Sequence, residues 1–181
     1  MIELEHPVEK LVQTIIYKGA EFDVVERPDV LWVGCVNYAA NNTDEPDIGV
    51  TLKRYREDLG NVSKNKLIKT DCSAALSINY TLNGKAPKGI MFAQETYSAE
   101  QDERYDLFTQ PAGLWLRVLN DKNAAALLGK DSAEPYECFE LLRNAAKENG
   151  YLQNPDIHVE VEYYRNTPVY TTFVYIPIIK T

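Results

Sequence analysis

The stretch from His158 to Tyr164, which reads HVEVEYY, concentrates side chains that could do chemistry. Its residues alternate in type, and alternate residues of a β-strand face opposite sides of a sheet. One side would carry polar residues and the other apolar ones: His158, Glu160, Glu162 and Tyr164 against Val159, Val161 and Tyr163. The pattern predicts a strand with one face in the core and the other toward water or a cavity.

A carboxylate at Glu162 gains a function if this polar face lines a cavity with aromatic walls. Burial would raise its pKa, because the charged form loses water, and a cationic ligand would restore the charge. Each aromatic face would add about 0.5–2 kcal/mol of cation–π attraction. Alternating glutamates are also typical of a solvated strand face, and for Glu160 we expect that simpler environment.

A catalytic role is the alternative for the same residues. Glu162 could act as a general acid or base with help from the Tyr164 hydroxyl. His158 would lie about 13 Å from Glu162 along the strand, too far for a hydrogen bond. The sequence contains no phosphate-binding loop, nucleophile elbow or cluster of metal ligands. We therefore expect no metal and no cofactor, and the catalytic reading stays open.

Two segments of the chain resemble each other and must position this strand. The segments FDVVERPDVLWVG, from Phe22, and YDLFTQPAGLWLR, from Tyr105, each predict two strands around a proline turn. Identical residues in them are 83 positions apart: Asp23 and Asp106, Pro28 and Pro111, Leu31 and Leu114, Trp32 and Trp115. This offset indicates an internal repeat.

A helix and two strands follow in each half. Asp44 could cap a helix that ends before Gly60, and Ser132 could cap one that ends before Gly150. The closing strands are SAALSINYTLN and KGIMFAQETY in the first half, and HVEVEYYRN and VYTTFVYIPI in the second. We expect an α+β fold made of a tandem pseudo-twofold repeat of β-α-β-β units, at about 21–98 and 104–179.

The first twenty residues lie outside these units. Apolar residues recur there at helical spacing, namely Val8, Leu11, Val12, Ile15 and Ile16. The spacing predicts an N-terminal helical extension over residues 1–20, ahead of a domain over residues 21–181.

Charge and composition narrow the partners. The net charge of −8 disfavours nucleic acid and anionic membranes and favours cationic or neutral ligands. The first residues, MIELEHPVEK, lack the apolar region of a signal peptide, and no stretch is apolar enough to span a membrane. The three cysteines are odd in number and widely spaced, which favours free thiols in the reducing cytoplasm.

Taken in order, several segments are similar to the GyrI-like small-molecule-binding family, the effector-binding domains of AraC-class and MerR-class regulators. The resemblance covers residues 21–179 and rests on ERPDVLWVG, IGVTLKRY, and the order ENGY, Glu162-Tyr163-Tyr164, YIPI. It implies a pseudo-twofold pair of units with both helices on one side and a ligand groove on the other. In drug-sensing members a carboxylate in that groove pairs with lipophilic cations, and Glu162 is the matching residue.

The resemblance also suggests groove walls and functions. The 83-residue offset places Asn79 opposite Glu162. The candidate aromatic walls are Tyr164 and Trp115 first, then Tyr38, Trp32, Phe92, Tyr151, Phe173 and Tyr175. An ordinary place in the core is the alternative for these aromatic residues. No DNA-binding segment accompanies these units, so we expect a stand-alone member that binds a small apolar or cationic compound without catalysis, in sensing or sequestration. One alternative is a hydrolase of a reactive small molecule, since a subset of the family resembles such hydrolases. The other is a protein-interaction inhibitor of the gyrase-inhibitor type.

Overall fold

The computed structural model describes residues 9–62, 72–165 and 170–181, and it describes the side chains of these residues except 58–62. The described chain forms a large antiparallel sheet with helices on it, which confirms the predicted α+β class. The strands are β1 (Lys10–Tyr17), β2 (Ala20–Arg27), β3 (Val30–Tyr38), β4 (Cys72–Ile78), β5 (Gly89–Thr96), β6 (Asp106–Gln110), β7 (Gly113–Leu119), β8 (Tyr151–Gln153), β9 (Val159–Arg165) and β10 (Thr171–Lys180). The helices are α1 (Ile48–Val62), α2 (Lys122–Leu127) and α3 (Cys138–Glu148).

The strand order supports the two-unit hypothesis. It runs β1-β2-β7-β10-β9-β4-β5-β3-β6, with β8 beside β10. Apart from β1, strands at equal distance on the two sides of the central β4–β9 pair correspond. These pairs are β10 and β5, β7 and β3, and β2 and β6. The register agrees with the offset of 83, since Arg27 pairs with Gly113 and Val30 pairs with Gln110. Both observations agree with the predicted repeat, which stays a prediction.

Helices α1 and α3 pack on the same face of the sheet. Cys35, Phe92, Ala75, Glu162 and Val174 are direct partners across five strands, so their side chains share a face. At one end of this row, the ring of Tyr55 in α1 lies 6.2 Å from the ring of Phe92. At the other end, Val174 shares an apolar core with the buried face of α3.

The helix boundaries differ from those predicted. Asp47, rather than Asp44, accepts a hydrogen bond from the backbone of Val50 and starts α1. The helix continues through Gly60. In the second half, Glu134 and Glu137 form a capping box ahead of α3, so Ser132 is not the cap. This helix ends before Gly150, as predicted.

The predicted N-terminal helix is wrong, because residues 10–17 form β1. This strand pairs with β2 along its length, with a bulge between Leu11 and Gln13. Burial at its end alternates, with Ile15 and Tyr17 in the core and Ile16 exposed. The apolar spacing fits a helix equally well, but pairing with β2 satisfies the backbone and lets Ile15 and Tyr17 cover Phe22 and Val24.

Two short elements were also missed. Asp121 caps α2 by accepting hydrogen bonds from the backbone of Asn123 and Ala124. Strand β8 pairs with the end of β10. In the described residues, no helix has the length and apolar character needed to cross a membrane.

The sheet separates two apolar cores. One core lies between α3 and strands β1, β2, β7 and β10. The other lies on the opposite face and contains Trp32 and Trp115, both with 0% of their surface exposed. Because both faces of the central strands bury side chains, the residues of β9 have little freedom to change register.

A buried ion pair ties α3 to β9. Arg143 of α3 donates to the carboxylate of Glu160, which is only 2% exposed. Gln153 of β8 donates to the same carboxylate at 3.0 Å, and Arg143 donates to Gln153 at 2.9 Å. Three elements therefore meet at one carboxylate, whose charge is compensated within the fold.

We expect Glu160→Ala to lower the free energy of unfolding by about 2–3 kcal/mol, because it leaves a partly buried guanidinium and an amide without their acceptor. The matched control is Glu140→Ala, which removes the other carboxylate that pairs with Arg143 but lies at the surface. An exposed pair contributes at most about 1 kcal/mol. Urea unfolding of both variants measures the difference, and equal losses would contradict the assigned role of Glu160.

Candidate functional site

Glu162 lies at the centre of the sheet, on the face that carries the helices. Its direct partners are Ala75 on β4 and Val174 on β10. Two residues earlier on the same strand, Glu160 contacts Arg143 of α3, which fixes the direction of both side chains. The resemblance placed the groove on the face opposite the helices, whereas the structure directs Glu162 to the helix side.

Strands β4 and β9 form a strip between the two helices, which we name the central strip. Helix α1 packs on β3 and β5, and α3 packs on β7, β8 and β10. The side chains of β4 on this face are all small: Ser73, Ala75 and Ser77. Phe92 lies two strands from Glu162, about 10 Å away at about 4.8 Å per strand. The side chains of β4 between Phe92 and Glu162 are therefore short.

The Glu162 carboxylate is partly buried, and its hydrogen-bond partner is the Tyr164 hydroxyl, which donates to it. Burial raises the pKa of Glu162, the nearby Glu134 carboxylate raises it further, and the tyrosine hydrogen bond partly opposes both. Within the described ranges, no Lys, Arg or His forms an ion pair with Glu162. Among the described residues, this carboxylate therefore has no counterpart of the arginine that compensates Glu160.

Glu160 corrects one of our expectations. We predicted that it would face water, but it is buried and paired with Arg143. Burial raises the pKa of Glu160, while Arg143 and Gln153 oppose that rise. Two carboxylates on one strand face thus have different described partners, an arginine for Glu160 and a tyrosine hydroxyl for Glu162.

The predicted aromatic walls divide between the two faces. Tyr164 and Phe92 lie on the helix-bearing face with Glu162, and both are partly buried. Trp32, Trp115, Tyr175 and Phe173 lie in or against the core on the opposite face, so they do not line the central strip. Tyr151 belongs to the core beneath α3.

The remaining two predicted residues are also separate from Glu162. Tyr38 lies at the end of β3, exposed, with its ring over Gly89. Asn79 follows β4 with a φ of 64° and donates to the carbonyl of Pro87 at 2.9 Å. Its side chain is therefore used in a turn, and the expected amide wall opposite Glu162 is not formed.

Two aromatic residues near the site were not predicted as walls. Tyr55 of α1 contacts Phe92, and Tyr170 stacks on Tyr164 at 6.4 Å between ring centroids. Tyr55 could have been found from its place on the apolar face of α1. Tyr170 precedes β10 and carries no periodic signal.

The charge of Glu162 acts on the thiol of Cys138 in α3. Burial raises its pKa to about 11, with the carboxylates of Glu137 and Glu162 adding to the rise. The thiol is therefore protonated at neutral pH and is a poor nucleophile. In the part of the chain that the structure describes, no three His, Cys, Asp or Glu residues cluster to hold a metal ion.

No protein-family model matches the sequence, and no curated protein matches it either. Solved structures do match. The C-terminal domain of EcmrR has a TM-score of 0.59 and 13% identity, over 88% of this chain and 98% of that domain. SAV2435 bound to tetraphenylphosphonium has a TM-score of 0.59 and 13% identity, over 88% of this chain and 94% of that one.

A third similar structure is the integron cassette protein VCH_CASS2 from the mobile metagenome of Vibrio cholerae. It has a TM-score of 0.54 and 12% identity, over 94% of this chain and 99% of that one. At such low identity the matches show the fold alone. The chain shares the fold of these proteins, which confirms the fold that the sequence resemblance predicted.

Proposed function

We propose that this protein binds a small lipophilic cation over the central strip, without catalysis, in sensing or sequestration in the cytoplasm. The observation that carries the proposal is the Glu162 carboxylate, which is partly buried and has no cationic partner among the described residues. The three cysteines are buried and form no disulfide, which suits a reducing compartment.

The proposal follows from the free energy of the carboxylate. Desolvation makes the charged form of Glu162 unfavourable, which is why its pKa is raised. A cation beside it would restore the charged form, and the partly buried rings of Tyr164 and Phe92 would contact the apolar parts of the ligand. The ligand would therefore give Glu162 the positive charge that Arg143 gives Glu160.

The structural neighbours favour this ligand class. SAV2435 has been solved with tetraphenylphosphonium, a lipophilic cation. The fold of this chain covers nearly all of that protein, so a comparable site has the same elements available. The fold alone does not fix a ligand, and the argument for a cation depends on Glu162 itself.

A hydrolase is the second candidate, favoured by the hydrogen bond from Tyr164 to Glu162. A carboxyl with a raised pKa suits general acid or base work near neutral pH. A tyrosine hydroxyl next to it could orient a water molecule or a leaving group. Turnover of a bound reactive compound that Glu162→Gln abolishes, with binding retained, would favour this candidate over simple binding.

We expect Glu162→Gln to abolish the thermal stabilisation by lipophilic cations and to retain that by neutral analogues of the same shape. A ligand at a hundred times its dissociation constant should stabilise the wild type by about 2.7 kcal/mol. Differential scanning fluorimetry with tetraphenylphosphonium and its neutral analogues measures this.

The matched control is Glu26→Gln, which removes the same charge from an exposed position on β2. It should bind cations as the wild type does. Equal cation binding by Glu162→Gln and the wild type would contradict the proposed anchor.

Cation affinity should fall as the pH is lowered through the pKa of Glu162, because the carboxylate takes up a proton and loses its charge. Since this pKa is raised, the loss of affinity should occur at a higher pH than for an ordinary glutamate with a pKa of 4.5. Because the folded pKa is above the unfolded one, Glu162 also makes the ligand-free protein less stable as the pH rises through that window. Calorimetric titration across the window measures the first effect, and thermal unfolding of Glu162→Gln beside the wild type measures the second. An affinity independent of pH would contradict the account.

A further inference from the structure

The two tryptophans occupy corresponding positions in the two halves but have different partners. Trp32 pairs with Phe108 across β3 and β6, which makes Gln110 its diagonal neighbour on the same face. The indole Nε1 of Trp32 donates to the side-chain oxygen of Gln110 at 3.1 Å. Both residues have 0% of their surface exposed, so this hydrogen bond replaces water completely.

The corresponding pair in the other half is Trp115 and Arg27. Val25 pairs with Trp115 and Arg27 pairs with Gly113, so Arg27 is the diagonal neighbour of Trp115. Arg27 is also 83 residues before Gln110. A guanidinium has no acceptor atom, so it cannot accept the indole hydrogen as Gln110 does.

Two buried donors in this pair have no hydrogen-bond partner in the part of the chain that the structure describes. Trp115 Nε1 and Arg27 Nη1 are both buried without a hydrogen bond to the described residues. Only 6% of Arg27 is exposed, so its Nη1 cannot turn to water. A buried donor without an acceptor gives up its hydrogen bond to water and gains none in the fold.

The rest of the Arg27 guanidinium is already held. Its Nε lies 3.1 Å from the Glu9 carboxylate, and its Cζ lies 4.3 Å from the centre of the Tyr175 ring. The ion pair and the ring fix the orientation of the group, so Nη1 remains directed into the protein.

The residue that pairs directly with Arg27 is a glycine. Gly113, the direct partner of Arg27, has no side chain, and the atom nearest to a Cβ built there is Ile157 Cδ1 at 3.7 Å. A third unpartnered atom on this face, Gln110 Nε2, is also a donor. The unpartnered side-chain atoms in the described part of this core thus all require an acceptor.

We propose that Trp115 Nε1 and Arg27 Nη1 together bind one small hydrogen-bond acceptor, a halide ion or a water oxygen. The site lies on the face of the sheet opposite Glu162 and does not depend on the proposed ligand function. Its chemistry is set by donors alone, which excludes a cation as the occupant.

The test uses the two tryptophans as reporters, because the chain contains only two. Each indole N–H gives one resonance in a nitrogen-15 correlation spectrum of the full chain, and bromide is titrated at constant ionic strength. A saturable shift of the Trp115 resonance with the Trp32 resonance unchanged identifies a halide site. No bromide response, but a cross-peak between Trp115 Nε1–H and long-lived water, identifies a water site.

The variant Arg27→Gln provides the control, because it places an acceptor where Gln110 stands in the other half. The Trp115 resonance should move toward that of Trp32, and both the bromide response and the water cross-peak should disappear. Should this variant fail to fold, a crystal structure of the wild type grown in bromide tests the same site. The proposal would be overturned if Trp115 showed no bromide response and no water contact, and if the crystal showed no density between the two donors.

Discussion

The antiparallel pairing of β4 with β9 is the constraint on which the rest of the structure depends. It joins the two halves of the sheet, and its register places Glu162 opposite Ala75. A shift of one residue would move Glu162 into the tryptophan core and move Tyr163 to the helix side. The apolar residues Val159, Val161 and Tyr163, buried on the other face, oppose such a shift. The position of the candidate site is thus a consequence of core packing.

The environment of each carboxylate on β9 follows from the helix beside it. Glu160 lies within reach of Arg143 and is compensated inside the fold. Glu162 lies one step further along the central strip, where its described partner is a tyrosine hydroxyl. A buried carboxylate that is paired supports structure, whereas one that is unpaired carries a free-energy cost that a ligand can relieve. The difference between these two residues is the physical basis of the proposed function.

The sequence predicted those features of the fold that depend on local patterns. The two strand-turn-strand segments, the α+β class and the common face of Glu162 and Tyr164 follow from alternation and turn residues, and the structure contains them. Leu11, Val12, Ile15 and Ile16 misled the prediction because their spacing suits either a helix or an edge strand. Only the pairing of β1 with β2, a long-range interaction, decides between the two.

The site was harder to predict than the fold, because tertiary partners determine it. The face to which Trp32 and Trp115 point depends on strand pairing across the two halves, and both lie in the core behind the sheet. The offset that matched Asn79 to Glu162 was informative about register but not about role, since Asn79 lies in a turn. Burial of Glu160 required Arg143, which is seventeen residues away and on another element.

A crystal structure of the protein with a lipophilic cation would test the central claim most directly. The account predicts that the charge centre of the ligand lies over the central strip, close to the Glu162 carboxylate, with its apolar groups against Phe92 and Tyr164. A cation bound on the opposite face of the sheet, or at the surface away from Glu162, would contradict the account.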